Sequence, residues 1–283
     1  MKPLPRSSRL GFYCFLLLCM APAGAFGKDL NLSTGLGFEY ATGTYGTDQT
    51  TSSYSIPLTI RYDPTERFSL ELVVPYVFLS NGSTSSSGMF RFGNGRAGSA
   101  ANGFGSNGNG QTGAGQTSTD SSSQSGVGDV SLKAGYVVWP EGASSPQIKP
   151  LLYVQFPTAD KDKGLGSGAF SGGGGLEITK WFGGWHTYAE GLYVFQETSA
   201  ELSLKNYVSY EAGVGFQVTD RFRPTILMMG ATAPSDNSSS LAEARIKASY
   251  RLTGRASLEG YLGAGLTSQS SDFGAGIAFF YEF

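Results

Sequence analysis

Phe273-Gly274-Ala275-Gly276-Ile277-Ala278-Phe279-Phe280-Tyr281-Glu282-Phe283 is the stretch that decides the fold. Every second residue from Phe273 is apolar: Phe273, Ala275, Ile277, Phe279, Tyr281 and Phe283. Those between, Gly274, Gly276, Ala278, Phe280 and Glu282, are small or polar apart from Phe280. Successive side chains of a strand point to opposite faces, so this is a strand with one greasy face and one suited to water or close packing.

The same period recurs upstream. Ala242, Ala244, Ile246, Ala248, Tyr250 and Leu252 alternate with Glu243, Arg245, Lys247, Ser249 and Arg251. Val208, Tyr210, Ala212, Val214, Phe216 and Val218 oppose Ser209, Glu211, Gly213, Gly215 and Gln217, while Phe68 to Phe78 and Ile148 to Phe156 behave alike. The pattern predicts about twelve strands, near residues 30–42, 51–62, 67–79, 127–139, 147–157, 170–182, 185–197, 206–218, 221–233, 241–252, 255–267 and 272–283. Each is longer than the roughly 9–11 residues with which a tilted strand crosses a bilayer.

Tight turns (Asp63 to Glu66, Gly183-Gly184, Thr219-Asp220, Thr253-Gly254, and a looser Pro140 to Pro146) alternate with polar loops over 43–50, 80–126, 158–169, 198–205, 234–240 and 268–271. Short turns on one side and longer loops on the other mark an outer-membrane barrel, and an even strand count puts both termini on the short-turn, periplasmic side. A soluble sandwich is the competing architecture, but its strands average nearer 5–6 residues. Aromatics near the strand ends (Tyr54, Tyr62, Tyr76, Phe78, Phe170, Phe182, Tyr281, Phe283) suit interfacial girdles instead. The predicted fold is all-β: a transmembrane antiparallel up-and-down barrel over 28–283, with a long low-complexity extracellular loop at 81–126.

Residues 1–27 read as a cleaved signal peptide. Lys2, Arg6 and Arg9 precede the apolar run Gly11 to Met20, and small residues follow at Ala23-Gly24-Ala25. Both cysteines, Cys14 and Cys19, would leave with it, which excludes a disulfide scaffold or thiolate metal site. Three of the 20 Lys+Arg also leave, against 22 Asp+Glu, so the net charge moves from -2 to about -5 and nucleic acid is not a partner. The first strand starts close behind the cleavage site, so no N-terminal hatch is expected.

With the apolar face toward lipid, the other face lines the interior. The alternation puts Glu39, Arg61, Glu71, Asp129, Lys133, Lys149, Glu177, Glu190, Glu211, Arg223, Glu243, Arg245, Lys247, Arg251, Glu259 and Glu282 there. Trp139, Tyr153, Trp181, Tyr188, Tyr207, Tyr261 and Phe280 fall on the same side. Charge of both signs in near balance suits a hydrated lumen braced by ion pairs and argues against a strongly ion-selective pore. Two readings of this set stand side by side: mutual neutralisation across a narrow barrel, or contact with a passing solute. Phe279, Tyr281 and Phe283 resemble the terminal aromatic signal read by the outer-membrane assembly machinery.

Other motifs carry little. Gly103 to Gly108 matches a dinucleotide fingerprint, but no strand-turn-helix context surrounds it. Asp160-Lys161-Asp162-Lys163-Gly164 resembles the start of a calcium loop whose closing glutamate is missing. The sole histidine, His186, points inward at the periplasmic end of its strand, away from the outer rim where a barrel lipid hydrolase needs it. No enzyme, cofactor or metal is expected.

Gly126-Val-Gly-Asp-Val-Ser-Leu-Lys-Ala-Gly-Tyr136 resembles the "GxGD" strand opening of the outer-membrane transporters named for the MetA pathway of phenol degradation. Gln155-Phe156-Pro157-Thr158-Ala159-Asp160 and Gly164-Leu165-Gly166-Ser167-Gly168 are similar to that family's "PTGD … LGTG" segment, with Ala159 for Gly and Ser167 for Thr. The resemblance implies an outer-membrane channel for passive uptake of small hydrophobic or aromatic compounds. Its implied partners are the lipid bilayer with its lipopolysaccharide, the assembly machinery and a small solute. The alternative from a different class is a non-transporting surface barrel with an adhesive or structural role.

Overall fold

A computed structural model of the chain describes residues 31–46, 50–80, 123–197, 203–236 and 238–283. The expected leader at 1–27 and nearly all of the 81–126 segment lie outside those residues. Thirteen strands make up the rest: β1 (Leu32–Gly43), β2 (Thr51–Tyr62), β3 (Phe68–Leu79), β4 (Gln124–Val127), β5 (Val130–Tyr136), β6 (Gln147–Phe156), β7 (Ser171–Phe182), β8 (Trp185–Gln196), β9 (Tyr207–Phe216), β10 (Phe222–Ala231), β11 (Leu241–Arg251), β12 (Ala256–Gly265) and β13 (Phe273–Glu282). β4 and β5 both pair with β3 and form one stave, so the barrel has twelve.

Neighbouring staves are antiparallel, and the sheet closes where β1 meets β13, from Ser33 opposite Glu282 to Thr42 opposite Phe273. The Phe283 N–H donates to the Leu32 carbonyl at 2.9 Å, adding one more rung at the end of that seam. Closure leaves no unpaired edge, which a membrane span requires.

Burial is inverted relative to a soluble protein. The apolar rows point outward, with Ile226, Leu152 and Ile246 all more than 60% exposed. Outward aromatics gather in two belts. Phe156–Phe170 (6.0 Å between ring centroids) and Tyr193–Phe195 (4.8 Å) sit at the loop end; Trp185–Phe216 (4.8 Å) and Tyr281–Phe283 (5.1 Å) sit at the turn end.

The sequence pattern predicts one unbroken strand over 127–139, and the structure corrects it twice. Tyr76 faces Val127 and Val73 faces Ser131, so three residues, Gly128-Asp129-Val130, oppose the two residues Val74-Pro75. That extra residue is a bulge, and it aims Asp129 into the barrel. At the other end the Val138 and Trp139 N–H groups both donate to the Ile148 carbonyl, at 3.1 and 3.3 Å. This second irregularity breaks the alternation, so Trp139, expected inside, is 57% exposed at the rim.

Candidate functional site

The interior wall is polar by sequence and packed in three dimensions. On one side Lys149 (β6) pairs with Glu177 (β7) at 2.7 Å, between register partners on adjacent strands. Lys133 (β5) reaches past both to Glu190 on β8, 3.1 Å away, and it faces Glu71 of β3 in register. On the other side Lys247 (β11) pairs with Glu259 (β12) at 2.8 Å, and Arg245 with Glu243 at 2.9 Å. The Ser271 hydroxyl donates to Glu243 at 2.8 Å and that of Ser249 to Glu259 at 3.1 Å. Arg61 turns down to Asp63, 3.1 Å away, while Glu39 is buried on β1. Charges desolvated in this way depend on their partners, because removing one leaves the other stranded.

Rings and aliphatics fill the space between the charges. Tyr188 (β8), Leu227 and Met229 (β10), Tyr261 (β12), and Ala278 and Phe280 (β13) form one buried cluster reaching across the staves. The Tyr188 hydroxyl donates to Glu211 at 2.6 Å, and the Arg245 guanidinium lies 4.3 Å from the Tyr261 ring centroid. A second cluster joins Leu151, Tyr153, Leu192, Val194 and Tyr207 beside the glycine run of β7. There the backbones approach so closely that a Cβ on Gly175 would collide with the Gly191 carbonyl. Interior side chains are therefore mostly buried against one another.

The loop end is tied down by Asp129, which is 1% exposed. Its carboxylate accepts from Gln155 Nε2 (2.9 Å), the Ala159 N–H (3.0 Å) and the Ser167 N–H (3.3 Å). Gly166 has to be glycine in this knot: a Cβ would lie 2.5 Å from Ala159 Cβ and 2.7 Å from the Asp129 oxygens. Leu165, just before it, buries against Val77 and Leu79 of β3. Asp160, read as a weak calcium motif, instead accepts from the Asp162 N–H at 3.1 Å and pairs with Lys163 at 2.7 Å, and that ammonium holds its carboxyl below the usual range. Across the mouth, Tyr45 is buried with φ 49°, a conformation that a non-glycine residue holds only when its surroundings fix it.

The turn end is looser. Trp181 lies against His186 in a tilted pair with ring centroids 4.6 Å apart, and Tyr188 stacks on the histidine 5.9 Å beyond. The Arg223 guanidinium lies 5.7 Å from the Trp181 ring. Arg251 is exposed near the end of β11, and Glu282 is half-buried beside the closing seam.

Sequence reasoning gave the side on which these residues lie but missed two arrangements. The Asp129 knot was signalled only by adjacent motifs, since Gly126 to Asp129 and Pro157 to Gly168 are far apart in the chain. The aliphatic interior residues Val77, Leu192 and Val194 were not singled out, because an apolar residue on an inward row carries no polar contrast with the outward one.

A family model described as "Putative MetA-pathway of phenol degradation" matches residues 78–283. This chain belongs to that family. The family's "GxGD" and "PTGD … LGTG" segments are the two sides of the Asp129 knot. Among solved structures, an outer membrane channel from Pseudomonas putida F1 is similar in fold, with a TM-score of 0.64 at 16% identity over 93% of this chain and 100% of that one. The NanC porin (TM-score 0.52, 8% identity, 89% and 98% covered) and the KdgM porin with disordered oligogalacturonate (0.51, 9%, 89% and 99%) are similar as well. None of the curated proteins matches this chain by sequence. Family and fold together put the chain in the outer membrane as a closed barrel of the channel and porin type.

Proposed function

We propose that this protein is a passive outer-membrane channel for small hydrophobic or aromatic compounds. The observation that carries the reading is a water-compatible wall with an aromatic row inside it. Tyr153, Tyr188, Tyr207, Tyr261 and Phe280 stand among Lys133, Lys149, Arg245, Lys247 and the glutamates that neutralise them. Balanced charge keeps the lumen hydrated without holding an ion. The rings are buried among those charges, and the tight filling favours small solutes over large ones. The family to which the chain belongs supports the same reading, and the lumen-facing residues are the proposed solute-contacting set.

The filling also favours a second reading, a barrel sealed at rest that serves the cell surface through its loops. Single-channel recording of the purified chain in planar bilayers, alongside uptake of phenol and benzoate into loaded liposomes, separates the two. Small unitary conductance with faster entry of aromatic than of equally sized sugar solutes is expected. No conductance and no uptake, from either the full chain or a variant with residues 82–125 replaced by a short linker, overturns the channel.

A further inference from the structure

Four of the inward-facing cations in the middle of the barrel are held in close ion pairs, and one further cation is not. Lys133, Lys149, Arg245 and Lys247 each have a carboxylate within 3.1 Å. Arg223 on β10 has none within ion-pair distance among the described residues, and its guanidinium rests over Trp181. Two carboxylates on nearby strands are engaged elsewhere: Glu211 by the Tyr188 hydroxyl and Glu259 by Lys247. Ser249 is the register partner of Arg223, and Arg251, the next inward position on β11, brings a second positive charge toward the turn end.

A second observation points the same way. His186 is 3% exposed, yet its Nε2 has no hydrogen-bond partner among the described residues. A buried polar atom without a partner is uncommon unless something else supplies one. Trp181 and Arg223 are only half-buried, so the cluster is partly accessible. β9 contributes only glycine behind it. A Cβ on Gly215 would lie 2.7 Å from Thr225 Oγ1, and one on Gly213 would lie 2.6 Å from the Tyr188 ring.

We propose that Trp181, His186 and Arg223 form a subsite for an aromatic carboxylate at the periplasmic end of the lumen. The guanidinium fork matches a carboxylate in a bidentate pair, which a lysine does not reproduce. The half-buried Trp181 ring supplies apolar surface for the aromatic ring, and the buried, unpartnered His186 Nε2–H donates to the second side of the carboxylate once the solute is seated. A solute leaving the narrow interior would meet its first unneutralised cation here. The proposal rests on the channel reading and narrows it from aromatic compounds to their anions.

Titration calorimetry of the purified full chain with benzoate tests it, using acetate and cyclohexanecarboxylate as controls for charge and for aromaticity. Saturable binding of benzoate, stronger than either control, is expected. Arg223→Gln should weaken it about tenfold or more, Arg223→Lys less, and Trp181→Leu by several-fold. Each variant must first show the compact mobility of a folded barrel on an unheated gel, and Arg223→Lys, which keeps the charge and stem, guards against a folding artefact. Equal benzoate affinity in Arg223→Gln, or acetate binding as well as benzoate, overturns the subsite. Conductance is recorded in parallel: a barrel that conducts but does not bind benzoate refutes the subsite alone, and one that binds but never conducts refutes the channel.

Discussion

The two ends of this barrel handle a buried charge in opposite ways. At the loop end Asp129 is surrounded by three donors, one side-chain amide and two backbone N–H groups. At the turn end Arg223 has an aromatic face and no carboxylate among the described residues, and His186 beside it leaves a ring nitrogen unpaired. A saturated charge fixes structure, because every neighbour loses when it is removed. An unsaturated one costs stability in the resting state and leaves binding capacity for something else. The difference separates a structural acid from a candidate binding cation, although both were read from the same alternating pattern.

The largest effect should come from breaking the saturated end. Asp129→Ala removes the acceptor of three hydrogen bonds, each to a charged group worth about 1.5–3 kcal/mol. We expect a loss of about 4–5 kcal/mol on that scale, with faster proteolytic cleavage within 157–170. A thermal gel-shift midpoint equal to that of the wild type would contradict the knot. Next in size is the mid-barrel pair. Lys133→Met strands the Glu190 carboxylate and should cost about 3 kcal/mol, whereas Lys133→Met with Glu190→Leu should recover most of it. A double-mutant cycle measures this, and strict additivity would mean that the two side chains do not couple.

Deleting Phe283 is expected to act on assembly more than on stability. It removes the Phe283 N–H···Leu32 rung and the contact with Tyr281, about 1–2 kcal/mol. The proposed terminal signal goes with it, so the fraction of chain assembled in the outer membrane should fall several-fold. Normal assembly of the shortened chain would remove Phe279, Tyr281 and Phe283 from that role. Smallest of all, Arg223→Gln should change stability by less than about 1 kcal/mol, because no ion pair is broken. A loss comparable to that of Asp129→Ala would reveal a structural partner and erase the contrast between the two ends.

Much of the architecture was legible from local pattern. The alternation at Phe273 to Phe283 gave a two-faced strand, and its repetition gave the staves. The contrast between turns such as Gly183-Gly184 and the longer loops separated the two ends of the barrel. The pattern failed at Gly128-Asp129-Val130 and at Val138-Trp139, where an extra residue enters the ladder; a period of 2 carries no mark of such an insertion. It was also mute where both faces are apolar, as around Leu192 and Val194.

The sequence by itself therefore determined the alternation of faces within each regular strand, how many staves the barrel has, and that Phe283 lies at the closing strand. These follow from side-chain direction along a strand, which depends only on the parity of position. Only the tertiary structure decided who meets whom. Lys133 finds Glu190 three strands away, Asp129 gathers amides from a distant loop, and Arg223 finds no carboxylate within ion-pair distance among the described residues. Those outcomes depend on register, bulges and curvature accumulated around a closed sheet, and no single strand encodes them.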